Sequence, residues 1–216
     1  MSIKNLYIGA LLLICSLTAR SMKNSYTIML DPAGDARHTG RIIGTSFERA
    51  LTFQIAQALQ QTLQKTFPCN VIITRSPGET VHQRQSANFA NRLPIDLYIS
   101  LHCYHAPQEK HTIALYLLSR SPLSVPSSAP ITMTPFSHAH WQSFDTTKKY
   151  ATRMHTILEA TYAHQFQLPP VIALPFTPLF GIQAPAIGIE INCVSLDNGT
   201  LYVEPLAKTI LSTLTS

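Results

Sequence analysis

The sequence predicts a single α/β domain with three layers, in which helices flank a mostly parallel, twisted sheet. Short apolar runs alternate with segments whose apolar residues recur at every third or fourth position, which is the pattern of alternating strands and helices. That order favours parallel pairing of the strands through right-handed crossovers. The chain has 216 residues, of which 45% are apolar, and this is enough for one sizeable core.

The first strand is predicted from the apolar run Tyr26 to Leu30, which Asp31-Pro32 ends. A loop that contains several glycines follows, and a helix begins near Thr45 or Ser46. Apolar residues recur along this helix at steps of three and four residues, which predicts one buried stripe. Pro68 ends the unit.

The second and third strands are predicted over Val71 to Thr74 and Leu97 to Leu101. Between them, the segment from Thr80 to Gln83 has the residue spacing of a capping box. We therefore predict a helix from there to about Asn91.

The C-terminal half predicts two more strands, over Thr112 to Leu118 and Ala186 to Ile191. Residues 120–145 are rich in Ser, Pro and Thr and show no periodicity, so we predict a long stretch that is either a functional surface loop or poorly ordered. Helices are predicted over about 146–165 and over Val203 to Leu214. No internal repeat and no second domain are apparent in the sequence.

The first 21 residues have the features of a secretory signal peptide. Lys4 precedes an apolar run from Leu6 to Leu17, and Ala19-Arg20-Ser21 resembles a cleavage site. The run is shorter than the ~20 apolar residues of a membrane-spanning helix. We expect a protein exported to the periplasm or cell envelope, with a mature domain over 22–216 and no stable membrane span. An uncleaved anchor is the alternative.

The charge of the chain bears on its binding partners, and the number of cysteines bears on whether a disulfide can form. The formal charge is +5, but no dense Lys/Arg cluster or aromatic–basic interleaving points to nucleic-acid binding. A mildly basic surface is compatible with the anionic polymers of a cell envelope. Cleavage would leave Cys69, Cys103 and Cys193, an odd number that leaves at least one free thiol. For Cys103 and Cys193, a disulfide and simple packing are both open.

Several chemically active side chains lie where the predicted strands end. Asp31, Arg75, His102 and Glu190 are at or near strand carboxyl ends, and Glu48 lies on the first turn of the first helix. Ligands of open parallel sheets bind beyond that edge. The topology therefore predicts a cluster of carboxylates, an imidazole and an arginine on one rim of the sheet.

From about Tyr26 to its end, the chain resembles the zinc-dependent N-acetylmuramoyl-L-alanine amidases of the type 3 group. After the first strand, the family has the turn Asp-Pro-Gly-His-Gly-Gly, where this chain reads Asp31-Pro32-Ala33-Gly34-Asp35-Ala36, and the family's ligand glutamate corresponds to Glu48. The family's Thr-Arg pair is Thr74-Arg75 here, and its Ala-Asn pair and later Asp are Ala90-Asn91 and Asp96. Its Ser-x-His pattern is found at Ser100-Leu101-His102, and its late Pro-Ala-x-x-x-Glu strand at Pro185 to Glu190.

The resemblance implies a zinc enzyme that cleaves the amide between muramic acid and the stem peptide of peptidoglycan. Glu48 and His102 would be metal ligands, and Glu190 would be the catalytic general base. Zinc with an open coordination position lowers the pKa of its water to about 7 and polarises a carbonyl, and a carboxylate then carries the proton. Taken singly, Glu48 could instead complete a capping box with Thr45, and His102 could be a core histidine.

The family's first histidine ligand corresponds to Gly34, which has no side chain to donate. His38 lies four residues further on and could loop back, because four residues span at most ~13 Å. We predict His38 as the third ligand, with the adjacent Asp35 as an alternative. A third alternative is that the metal site has decayed, which would leave a protein that binds peptidoglycan or regulates cell-wall enzymes.

Overall fold

The computed structural model describes residues 25–107, 110–119, 136–193 and 196–215. The strands of these segments are, in chain order, β1 (Tyr26–Pro32), β2 (Ile42–Ile43), β3 (Ser46–Phe47), β4 (Cys69–Ile73), β5 (Leu97–Tyr104), β6 (Ile113–Leu118), β7 (Ile172–Leu174) and β8 (Ala186–Asn192). The α-helices are α1 (Glu48–Thr66), α2 (Gln83–Asn91), α3 (Phe144–Tyr162) and α4 (Val203–Leu214). Three segments are 3-10 helices, namely Phe136–Ser143, Thr177–Leu179 and Leu196–Tyr202.

Six of the strands form one twisted sheet in the order β4-β1-β5-β8-β6-β7. The first four of these are parallel, whereas β6 is antiparallel to β8 and parallel to β7. Strand β6 runs back because the connection from β5 to β6 has no crossover helix in its described part, residues 105–107 and 110–112. The prediction of a mostly parallel α/β sheet is confirmed.

Helices cover both faces of the sheet, which gives the three predicted layers. Ile28 and Leu30 of β1 pack into a large apolar cluster with α1, α3 and α4. Met29, between them, belongs to a smaller cluster on the opposite face with Ala87 and Ala90 of α2. Because both faces are buried, the central strands have continuous apolar runs instead of an alternating pattern.

The sequence predicted the type of these elements better than their ends. Strand β5 continues to Tyr104, so that His102 lies inside the strand instead of at its end. Helix α1 begins at Glu48 with Phe47 as its N-cap, so the alternative role of Glu48 in a capping box with Thr45 is excluded. Helix α2 begins three residues later than predicted, and its capping box is formed by His82 and Gln85.

The long loop predicted over 120–145 is not observed in the part of that stretch that the structure describes. Residues 136–143 form a 3-10 helix, and α3 begins at Phe144, so the prediction is wrong for this stretch. Residues 120–135 and the predicted signal peptide lie outside the described residues. The short strand β7, which lies between prolines, was not predicted. None of the helices in the described part of the chain is long and apolar enough to cross a membrane.

Candidate active site

Two predicted site residues are brought together by the pairing of adjacent strands. His102 of β5 is directly opposite Glu190 of β8 in the parallel register. Residues opposite each other in a sheet have their side chains on the same face. The aromatic ring of Phe176 lies against His102, with the two ring centroids 5.1 Å apart. Gly188 makes room for the ring, because a Cβ at Gly188 would lie 2.5 Å from a ring carbon of Phe176.

Glu48 joins this pair from the first residue of helix α1. Its Oε1 lies 3.4 Å from Nδ1 of His102 and accepts a hydrogen bond of 3.0 Å from the backbone N–H of Cys103. Its Oε2 accepts a bond of 3.1 Å from the backbone N–H of Arg41. Burial opposes ionisation of Glu48, but His102 and these two N–H groups outweigh it and lower the pKa of Glu48.

The side chain of Arg41 binds Glu190, an ion pair that the sequence gave no reason to expect. Nη1 of Arg41 is 2.5 Å from Oε1 of Glu190, and it also donates to the carbonyl oxygen of Cys103 at 3.2 Å. The second carboxylate oxygen of Glu190 accepts a bond of 2.9 Å from the hydroxyl group of Tyr116. Burial and the bond to Glu190 raise the pKa of Tyr116 to about 12.

His102 has a protein group beside each of its ring nitrogens. Nδ1 faces Glu48, and Nε2 lies 3.0 Å from Oγ of Ser100. Ser100 is two residues earlier on β5 and therefore on the same face of the sheet. The imidazole is thus held in one orientation by the strand that carries it and by the helix that follows β3.

Asp35, the alternative third ligand, is a structural residue of its loop. Its carboxylate accepts hydrogen bonds from the backbone N–H groups of Arg37, His38 and Val81 at 2.8, 2.6 and 3.2 Å. Burial alone would raise the pKa of Asp35, but the hydrogen bonds from His38, Val81 and Arg37 outweigh it and lower the pKa to about 2. Asp35 therefore fixes the loop as an ionised acceptor.

His38, the predicted third ligand, has a different surrounding from the one expected. Its side chain is 76% exposed, and its Nδ1 lies 3.2 Å from Oδ1 of Asp35. In the segments that the structure describes, no three His, Cys, Asp or Glu side chains are close enough to hold one metal ion. The side chains present do not fit the predicted zinc site of Glu48, His102 and His38, because only the first two are neighbours.

Gly34 occupies a conformation that favours glycine. Its φ is +77°, and a Cβ at this position would lie 2.7 Å from the Cβ of Arg49 and 2.9 Å from the carbonyl oxygen of His38. The backbone at the family's first histidine position is therefore closely packed against helix α1. This packing leaves no room for a side chain there without a shift of the loop or the helix.

A cleft of about 240 Å³ opens beside this centre and reaches it at His102. The cleft is lined by residues from several elements, among them the polar side chains of Asp31, His38, Arg75 and Ser100. Arg75 is turned to the backbone and donates to the carbonyl oxygens of Pro32, Ala33 and Arg49. Asp31 accepts a 2.6 Å bond from the Thr74 hydroxyl group, and burial raises the pKa of Asp31.

Cys103 and Cys193 pack against each other and do not form a disulfide bond in this structure. Cys103 and Cys193 are both buried and are free thiols, with their sulfur atoms 3.9 Å apart. Contact with Cys193 and burial raise the pKa of Cys103, so that its thiol is a weak acid.

Comparison with known proteins gives the family and supports the fold. A sequence model of the family described as N-acetylmuramoyl-L-alanine amidase matches residues 28–202, a range that contains all the residues of the site described above. No curated protein sequence matches the chain.

Solved structures of N-acetylmuramoyl-L-alanine amidases have the same fold. One from Clostridium difficile 630 is 20% identical, covers 89% of this chain and 96% of its own, and has a TM-score of 0.63. AmiC2 of Nostoc punctiforme is 14% identical, and the match covers 88% of this chain and 98% of the AmiC2 chain with a TM-score of 0.66. Ami1 from Mycobacterium smegmatis is 13% identical, and the match covers 88% of this chain and 96% of the Ami1 chain with a TM-score of 0.62. At these identities the likeness shows the fold alone.

Placing the family's histidine at position 34 should destabilise the protein. In Gly34→His, a residue with a side chain must adopt the left-handed backbone conformation of position 34, which costs roughly 1–2 kcal/mol. Its Cβ would also clash with Arg49. Gly78→His is a matched control, since Gly78 has φ +85° and nothing lies within 4 Å of its Cβ position. Urea denaturation should give a lower free energy of unfolding for Gly34→His than for Gly78→His. Equal values would show that the loop has room for the side chain.

The Asp35 carboxylate should stabilise the fold above about pH 4 and lose this effect in acid. Because the pKa of Asp35 is depressed to about 2 in the folded chain, its contribution is complete above its ordinary value of 3.8 and disappears as pH falls through 2. Asp35→Asn should therefore lower the free energy of unfolding at pH 6, and the difference from wild type should shrink between pH 4 and 2. Asp145→Asn, at an exposed carboxylate, controls for the loss of charge. A difference that stays constant with pH would contradict this role.

Proposed function

Because the chain belongs to the N-acetylmuramoyl-L-alanine amidase family, we propose that it is exported and hydrolyses the amide between muramic acid and the stem peptide of peptidoglycan. The observation that carries the proposal is the convergence of Glu48, His102 and Glu190 beside an open cleft. The predicted signal peptide over residues 1–21 supports export, and the site of action would be the periplasm or cell envelope.

The chemistry assigned to Glu190 is proton transfer. In amide hydrolysis, the oxygen of a water molecule attacks the carbonyl carbon, the C–N bond breaks, and the leaving amine takes a proton. We assign Glu190 as the general base that accepts the proton of this water and then delivers it to the amine. Tyr116 and Arg41 hold the two oxygens of its carboxylate in a fixed orientation. Glu48 and Ser100 orient His102 beside it.

Zinc, which the resemblance implies, would supply the Lewis acid for this reaction in other members of the family. In this chain only Glu48 and His102 of the predicted ligand set are neighbours, whereas His38 binds Asp35. A catalytic zinc site has three protein ligands. The proposal therefore assigns no step to a metal ion and is limited to the side chains that surround Glu190.

The absence of a ligand side chain at Gly34 favours a second function, which is binding without hydrolysis. A chain that has lost a ligand of the family's site could retain the cleft and bind peptidoglycan fragments without cleaving them, as a receptor or a regulator of cell-wall enzymes. The two functions predict the same ligand class and differ only in turnover.

Glu190→Gln should separate hydrolysis from binding. Removing the general base should lower the rate of peptide release by about 10²- to 10⁴-fold, because proton transfer contributes that factor. Binding of muropeptides should persist. Release of stem peptide from purified muropeptides is followed by chromatography and mass spectrometry, and binding by calorimetry. Glu159→Gln, at an exposed position of α3, is the matched control and should keep the wild-type rate.

The wild-type result decides between the two functions. Release of peptide by the wild type, lost in Glu190→Gln and kept in Glu159→Gln, supports the amidase. Binding of muropeptides by the wild type with no release at any enzyme concentration supports the second function. Neither binding nor release would refute both.

A further inference from the structure

The centre contains two carboxylates that are largely shielded from water. The side chain of Glu48 is 6% exposed and that of Glu190 is 17% exposed. Removing an ionised carboxylate from water is costly unless it is paired or coordinates a metal. The two carboxylates therefore need hydrogen-bond donors or a cation beside them, and the residues around them show which groups are present.

Arg41 is fastened to both carboxylates. Its backbone N–H donates to Oε2 of Glu48, and its carbonyl oxygen accepts the backbone N–H of Glu48 at 2.8 Å. Its guanidinium binds Glu190 and the carbonyl oxygen of Cys103. The preceding residue, Gly40, has φ +74°, and a Cβ there would lie 2.6 Å from Oε2 of Glu48. The loop can follow this path because residue 40 has no side chain.

We propose that the guanidinium of Arg41 is the resident cation of this centre, in the role that a divalent metal ion has in the family. The inference deepens the proposed function and rests on it for the nature of the reaction, although the identity of the cation can be tested without a substrate. Arg41 contributes in two ways, because its guanidinium pairs with Glu190 and its backbone N–H donates to Glu48.

The groups around Arg41 suit a guanidinium better than a metal ion. A guanidinium requires acceptors in several directions, and Nη1 has the carboxylate of Glu190 and the carbonyl oxygen of Cys103. A metal requires a free imidazole lone pair and a third ligand. Both ring nitrogens of His102 already face protein groups, Glu48 and Ser100. The third ligand position is Gly34, where a side chain would collide with α1.

Arg41 also remains partly exposed to solvent. Its side chain is 54% exposed although one end of the guanidinium is bound to Glu190. A guanidinium has five N–H donors and stays charged at all physiological pH values. Such donors stabilise the negative charge that develops on a carbonyl oxygen during amide hydrolysis. Arg41 can therefore supply the electrostatic part of the chemistry without a metal.

The first test measures metal binding and stability of the purified full chain. Wild-type protein should take up no stoichiometric zinc from ZnCl2 in calorimetry and elemental analysis, and its Tm should not change with ZnCl2 or EDTA. Arg41→Met should lower the Tm by about 5 °C or more, because it leaves Glu190 without its charge partner. Arg37→Met is the matched control, an exposed arginine in the same loop, and should have little effect.

A double variant distinguishes charge balance from general damage. If Arg41 acts by balancing Glu190, Arg41→Met/Glu190→Gln should recover a large part of the Tm lost in Arg41→Met alone, since the unpaired charge is gone. A Tm of the double variant equal to the sum of the two single losses would refute charge balance by Arg41. If Arg41→Met fails to fold, the zinc titration of the wild type still decides the proposal.

One result would overturn the proposal directly. This is uptake of one zinc per wild-type chain that raises the Tm and is abolished by Glu48→Gln. Hydrolysis by the wild type that survives a zinc chelator supports the proposal, whereas hydrolysis that is lost with the chelator and restored by zinc contradicts it. The binding and stability measurements use no substrate, so a lack of hydrolysis would count against the proposed function alone.

Discussion

The need to compensate two partly buried carboxylates is the constraint on which the rest of this centre depends. Glu48 and Glu190 come from different elements, and burying a carboxylate is costly unless hydrogen-bond donors are directed at it. The backbone N–H groups of Arg41 and Cys103 serve Glu48, while the side chains of Arg41 and Tyr116 serve Glu190. The path of the loop before α1 follows from this requirement, because Arg41 must reach both acids at once.

The fold supplies the precision that this arrangement needs. Strands β5 and β8 are central strands of the sheet, so their register is fixed by buried residues on both faces. A shift of one residue would turn His102 away from Glu190. The position of Phe176 over both His102 and Tyr116 depends in turn on Gly188, which leaves space for its ring. Packing and chemistry are thus determined by the same pair of strands.

The sequence predicted the fold class and the positions of Glu48, His102 and Glu190 near one another, because both depend on regular structure. Apolar runs identify strands, and the topology of parallel sheets brings Glu48, His102 and Glu190 to one rim. Arg41 could not be predicted in this way, since it is 149 positions from Glu190 and reaches it only through the irregular loop at Gly40. The choice of His38 rested on chain reach alone, and the hydrogen bonds of Asp35 give that part of the loop a different conformation.

Gly34 and Arg41 can be understood as two parts of one structural solution. A site that offers two ligands in place of three holds a metal ion weakly, and its carboxylates would then lack a counter-charge for much of the time. A covalently attached guanidinium removes this dependence, because it is always present and always charged. Its cost is that the guanidinium occupies one carboxylate oxygen of Glu190, the proposed base.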